Sequence, residues 1–496
     1  MKQSIKTALV LLLFFYIIAA AGAQNQPAFP RLEPDPKALE YYALGQRSTG
    51  YSWRELAQIS LWASGDLAAS GMEKISAAVE KLLASPDLPS SGKEKAEFIL
   101  NYMHKNILKS YSLYQTRMDT IFANGRFNCV SSAVLYMIFC RAAGINTSGV
   151  MTKEHAFITV HIEGQDIDVE TTNQYGFDPG NRKEFLDSVG NVTGFAYVPA
   201  QNYRDRQTIS QIELVSLILN NRIADHERQN RFADAVPVAI DMAALLAGSA
   251  LSVNTANAPD SIFEDPHKSM MDRLFNYGAM LLKGGKEEDC LRWIAAASVP
   301  YPDKIRWQEF TLAAVNNYMT KLTKAGKFEQ ARTLLEEQKS SLENASYAQL
   351  EMMVIDSELL ANANKIRNVS EGDAVVNAIV SARSSGIIAE RRGEELLTFA
   401  IQKTASVLSA SPARNWRAAA NYIDASLARF GANRELEQAL QTYRDNIATD
   451  YHNRFAAEWN KKNFGEAERV LNEGLAEFPN DRRLLADRET VNKNRR

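Results

Sequence analysis

The stretch FNCVSSAVLYMIFCRAAGI, Phe127–Ile145, carries two of the chain's three cysteines, eleven residues apart. It is apolar on most sides, which predicts a helix buried all round rather than an amphipathic surface helix. Gly144 marks its stop. On a helix rising 1.5 Å per residue, Cys129 and Cys140 lie about 16 Å apart. A disulfide needs Cα atoms within about 7 Å, so these are two separate thiols. Cys129 follows Asn128 at the start of the helix. There, unpaired backbone N–H groups and the positive end of the helix dipole favour a thiolate and can hold an oxyanion. Cys140 sits near the other end, where the dipole opposes a thiolate, and is expected to be an inert core residue.

Downstream the texture changes. SGVMTKEHAFITVHIEGQDIDVETTN alternates and is rich in β-branched residues. It predicts strands over Thr147–Met151, His155–Ile162 and Asp166–Glu170, with a turn at Gly164. A thiol nucleophile needs a base. Of the six histidines, only His155 opens a strand in this same segment, 26 residues after Cys129. The base in turn needs a carboxylate to fix its tautomer and stabilise the imidazolium. Asp166, Asp168 and Glu170 share one strand face. Counting outward from Gly164 puts the position opposite His155 near Glu170.

These residues carry a family resemblance. NCVSSAVLYMIFCRAAGI, then HAFITV, then IDVETT resembles the transglutaminase-like, papain-related core. That family has a cysteine opening a buried helix, an Arg-x-x-Gly-Ile ending it, a His-Ala-aromatic strand and an acid-x-Thr strand end. The matching residues are Cys129, Arg141 to Ile145, His155 to Phe157, and Glu170 to Thr172. The resemblance implies Cys129 as nucleophile, His155 as general base and then acid, and Glu170 as the orienting residue, with Asp168 in reserve. The family usually has Asp-Pro-Thr where this chain has Glu-Thr-Thr, and Phe157 stands at its tryptophan. The likeness covers residues 95–180, and no upstream oxyanion side chain is identifiable from it.

The rest of the 496 residues frames this segment. MKQSIK followed by ALVLLLFFYIIAAA and AGA reads as a secretory signal peptide over residues 1–23, the other reading being an uncleaved anchor. Residues 24–36, with four prolines, read as an extended leader. Helical periodicity followed by the strands above gives an α+β domain over 37–204. From 205 to 496 nearly everything is helical. NRFADAV (230–236), GKEEDCL (285–291), GKFEQAR (326–332), RNWRAAA (414–420) and KNFGEAE (462–468) share a pattern, with a small residue at Ala235, Cys290, Ala331, Ala418 or Ala419, and Ala467. A small residue lets antiparallel helices approach, and Gly285 and Gly326 suit the turn before it. The pattern resembles tetratricopeptide repeats, with a degenerate copy near Ala378. The expected fold is thus an α+β papain-like core with N-terminal helices, followed by an all-α solenoid of helical hairpins.

The net charge is −3 with a pI near 6.2, and no basic stripe is present, so nucleic acid is not the expected partner. No His-Glu-x-x-His, paired Cys-x-x-Cys, phosphate loop or dinucleotide fingerprint occurs; no metal or cofactor is expected. Two functions fit. The first is an exported, periplasmic or extracellular, cysteine-dependent acyl transfer on a protein or peptide amide, ending in hydrolysis or cross-linking, with repeats that bind a protein partner. The second is an inactive core on a scaffold whose whole task is protein binding.

Overall fold

The computed structural model describes residues 29–66, 68–90, 92–153, 155–179, 206–247, 264–410 and 415–494. The expected signal peptide at residues 1–23, the start of the expected leader, and the end of the expected α+β domain at 180–204 lie outside the described residues. Most described residues are helical, with one small region of sheet, and no described helix is long and apolar enough to cross a membrane. The chain divides after Trp307 into two compact units.

The first unit is built round the helix Cys129–Ala142, in which every residue from Cys129 to Cys140 is buried. Its start is a capping box: Asn128 Oδ1 accepts from Ser131 N at 2.9 Å and Ser131 Oγ accepts from Asn128 N at 3.0 Å. Its end is a Schellman motif. Gly144 takes φ 80°, Ile145 N donates to Cys140 O at 2.8 Å and Gly144 N to Arg141 O at 3.3 Å. The helices Trp53–Ala63, Gly92–Asn106 and Gln211–Arg228 surround it, which is why its apolar residues run all the way round. Arg141 reaches back to the carbonyls of Tyr51 and Thr49 at 3.0 and 3.2 Å.

Two short strands, β1 (Ser110–Tyr111) and β2 (Arg126–Phe127), pair in parallel just before this helix. Two residues each give no periodicity, so the sequence does not reveal them. The main sheet comprises β3 (Asn146–Met151), β4 (Ala156–Ile162), β5 (Gln165–Val169) and β6 (Gln207–Ile209), in the order β5-β4-β3-β6, every neighbouring pair antiparallel. The β4–β5 hairpin turns on Glu163 and Gly164, both at positive φ (52° and 77°), as a two-residue type I′ turn requires.

β6 corrects the expected domain boundary. The sequence predicts nearly all helix beyond 204, yet Gln207–Ile209 completes the sheet against Gly149–Met151, and the helix after it packs on the Cys129–Ala142 helix and β3. Three residues become a strand only because β3 offers a free edge. Gly149 lets them close in: a Cβ there would lie 2.8 Å from Ile209 Cγ1. The leader is pinned rather than merely extended. Phe29 packs edge-on against Trp293, Arg31 pairs with Asp241 at 2.7 Å, and Asp241 also accepts from Asp35 N at 2.7 Å. Asp35 then caps the helix that Pro36 opens.

The second unit is helical throughout its described residues, and each helix from Phe328 onward packs on the next. The sequence pattern corresponds to one recurring turn, found in both units. Asn230, Gly285, Gly326 and Lys462 all have positive φ, between 57° and 71°. The residue after each (Arg231, Lys286, Lys327, Asn463) has ψ between 56° and 66° and opens a helix, and Asn415 does the same. Five residues after each positive-φ position comes a small, buried one: Ala235, Cys290, Ala331 and Ala467; Ala419, not Ala418, is the buried member of its copy. Ala378 is exposed; on its helix the close approach is made by Gly372, where a Cβ would meet Thr404 Oγ1 at 2.2 Å. Overpacking such a position costs about 1–3 kcal/mol. Ala467→Leu should therefore lower the urea midpoint markedly, while Ala476→Leu, on an exposed position of the same helix, should leave it nearly unchanged.

Candidate active site

Three segments converge at the start of the buried helix. Cys129 is the first helical residue, so its N–H and that of Val130 have no carbonyl of the helix to donate to. His155 stands just before β4, and its carbonyl accepts from Thr152 N at 2.8 Å, closing the return from β3. Glu170 stands just after β5; the β4–β5 register, Ile158 beside Val169, extends to place it by Phe157. His155 Nε2 lies 2.5 Å from Glu170 Oε2. The other carboxylate oxygen accepts from Thr172 N at 3.0 Å and Thr172 Oγ1 at 2.6 Å. The acid-x-Thr pattern thus has a physical meaning: the threonine holds the carboxylate that holds the imidazole. Gly176 is required beside it, because Glu170 N donates to Gly176 O at 2.7 Å and a Cβ there would lie 2.0 Å from Glu170 O.

A further bond ties the acid segment to the helix. Ser132 Oγ and Thr171 Oγ1 are 2.8 Å apart, and Ser132 Oγ donates to Asn128 O at 2.9 Å, so Thr171 supplies the proton between the two hydroxyls. His104 Nε2 donates to Thr171 O at 3.1 Å. Ser132, Thr171 and His104 have no role in the sequence reading, where Thr172 appears only as the threonine of the acid-x-Thr pattern. Thr171 and Thr172 had a signal in the motif after the acid; His104 and Ser132 had none, being set by packing alone.

Of the three candidate acids, only Glu170 meets His155. Asp168 is taken by Arg206, at 2.5 and 2.6 Å, and by Thr159 at 2.9 Å. Asp166 bonds His161 Nδ1 at 2.7 Å. All three cysteines are free. Burial pushes the Cys140 thiol up to about 12, and Cys290 likewise to about 12. No group of three His, Cys, Asp or Glu side chains among the described residues could hold a metal ion.

Compared with known proteins, the chain matches no family profile, and no curated protein is similar to it in sequence.

The pair is electrostatically unusual. Burial disfavours the imidazolium, but Glu170 and the nearby Cys129 thiol outweigh it and hold His155 well above its ordinary value. Burial alone would raise Glu170; His155 and Thr172 reverse this and hold it below the usual carboxylate range. The other ring nitrogen, Nδ1, is buried without a hydrogen bond of ordinary geometry, although Cys129 is close enough to act on the ring. Such bonds are often long in unliganded sites and tighten when substrate binds. Linkage fixes the pH window. The raised His155 stabilises fully below its ordinary 6.5 and loses this as pH climbs through the raised value. The lowered Glu170 stabilises fully above its ordinary 4.5 and loses this as pH falls. The pair therefore contributes in full between these two values. In Glu170→Gln the burial effect should win, and the His155 titration followed by NMR should drop to or below its ordinary value. An unchanged titration would show that Glu170 is not the cause.

Proposed function

We propose that this chain is an exported cysteine-dependent acyl-transfer enzyme with a transglutaminase-like, papain-related core, acting on a protein or peptide amide. The observation that carries this reading is the His155–Glu170 pair at 2.5 Å, set beside a thiol at the start of a buried helix. Export rests on the signal-like residues 1–23. The recurring turn with its buried small residue, and the packing of each helix on its successor, support tetratricopeptide-like hairpins that bind a substrate or protein partner.

In this reading the roles follow from the His155–Glu170 pair. With Nε2–H donated to Glu170, Nδ1 is the nitrogen left to take the thiol proton. The Cys129 thiolate adds to the amide carbonyl, and the resulting oxyanion accepts from the Cys129 N–H. As the carbonyl reforms, the C–N bond breaks and the imidazolium gives its proton to the departing amine, leaving a thioester on Cys129. Water then attacks the thioester carbon, Nδ1 accepting its proton; as the carbonyl reforms, the C–S bond breaks, the Cys129 thiolate leaves and the acid is released, and an amine in place of water gives a cross-link. Glu170 keeps the ring aligned throughout and stabilises the imidazolium each time it forms.

A second reading is an inactive core serving a binding scaffold. It is favoured by how closed the site is: Cys129 is 9% exposed and the His155 side chain 13%. Iodoacetamide separates the two. Under native conditions at neutral pH, Cys129 should alkylate faster than Cys140 or Cys290 by about tenfold or more, and His155→Ala should abolish the difference. Equal, slow labelling of all three cysteines, read by peptide mass spectrometry, would leave only the scaffold.

A further inference from the structure

We propose that the Tyr111 hydroxyl is the second oxyanion donor, completing with the Cys129 N–H a cradle for the acyl oxygen as it becomes negative. The proposal rests on the acyl-transfer reading above and names a residue that the resemblance left blank.

The short parallel pair β1–β2 places the residue. Tyr111 lies beside Phe127, two residues before Cys129. Ser112 N donates to Phe127 O at 2.7 Å, so the two segments stay joined up to the residue before the helix cap. The Tyr111 ring meets the Phe127 ring edge-on, with centroids 6.0 Å apart and planes at 83°, which fixes its orientation. At the end of that ring the hydroxyl is shut off from solvent and has no hydrogen-bond partner. A buried hydroxyl without an acceptor forfeits the bonds it makes in water, and native folds rarely tolerate one without cause. Cys129 and Glu170 both act on this phenol; with burial as the larger influence, they hold it above its ordinary range. It therefore keeps its proton and remains a donor within electrostatic reach of Cys129.

The missing acceptor is an atom that exists only during reaction. When Cys129 Sγ bonds to an acyl carbon, the C=O π pair moves onto oxygen, and that oxygen accepts from Tyr111 O–H and Cys129 N–H. When the carbonyl reforms, the bond to the leaving group breaks and its electron pair departs with that group. A donor left idle in the free enzyme and engaged in the transition state lowers the barrier without tightening ground-state binding.

The test compares two reagents on the full chain, wild type and Tyr111→Phe. Iodoacetamide alkylates sulfur by displacement at a saturated carbon and forms no oxyanion. p-Nitrophenyl acetate acylates it through a tetrahedral oxyanion and releases p-nitrophenolate in a burst; Cys129→Ala supplies the blank. In Tyr111→Phe, acylation should fall by about 10²-fold, the usual effect of removing one oxyanion donor, while the alkylation rate of Cys129 stays as in wild type. The unfolding temperature should not drop, since the hydroxyl has no bond to lose. Unchanged acylation, an equal fall in both reactions, or loss of the fold would each overturn the role given to Tyr111. A wild-type Cys129 inert to both reagents would instead overturn the acyl-transfer reading, and this proposal with it.

Discussion

One hydroxyl pair, Ser132 Oγ with Thr171 Oγ1, holds the candidate site together. The start of a helix buried on every side carries backbone donors that water cannot reach. Asn128 and Ser131 satisfy part of that need within the helix. Ser132 extends the network outward, bonding Asn128 O on one side and Thr171 on the other. Thr171 sits between Glu170, which bonds His155, and Thr172, which bonds Glu170. The thiol end of the helix and the acid end of the sheet are therefore joined by neutral hydrogen bonds, which hold Glu170 where it meets His155.

That charged pair is an odd feature for a core. Two ionised groups taken out of water lose solvation that their mutual attraction repays only with good geometry and further hydrogen bonds, and apolar replacements of such pairs are often no less stable. Thr172 supplies the further bonds here. Beside the pair lie two buried polar atoms with no partner, His155 Nδ1 and the Tyr111 hydroxyl. A perturbed imidazole, a paired acid and two unpartnered polar atoms in one small region are the kind of grouping that marks candidate functional sites. Cys140 and Cys290 are thiols of the same chain in fully buried places without such neighbours, and burial simply raises them.

The helical hairpins follow a different economy. Their recurring turn is a single positive-φ residue followed by one at ψ near 60°, and the small buried residue five places on is what allows the next helix to approach. Glycine fills the turn at 285 and 326, asparagine at 230. Lys462 adopts the same conformation with a Cβ, at a cost that the packing of its hairpin offsets.

The sequence by itself determined the local features whose causes are local. The buried helix with its Asn128 start and Gly144 stop, the Gly164 hairpin, and the small positions at Ala235, Cys290, Ala331 and Ala467 follow from periodicity, turn chemistry and side-chain volume within a few residues. The nearness of Glu170 to His155 was legible because strand parity and a two-residue turn fix register over short distances, and the place of Cys129 was legible from the Asn128 helix start. Tertiary structure decided the rest. It chose Glu170 over Asp168, because Arg206 is brought in from beyond the β4–β5 hairpin to occupy Asp168. It made Gln207–Ile209 a strand and chose Gly372 over Ala378, because an open edge and a facing Thr404 are properties of a neighbour, not of the segment. It also set Tyr111 against Phe127 and brought His104 and Ser132 to Thr171: contacts made by packing across distant segments leave no period or spacing for a linear reading to find.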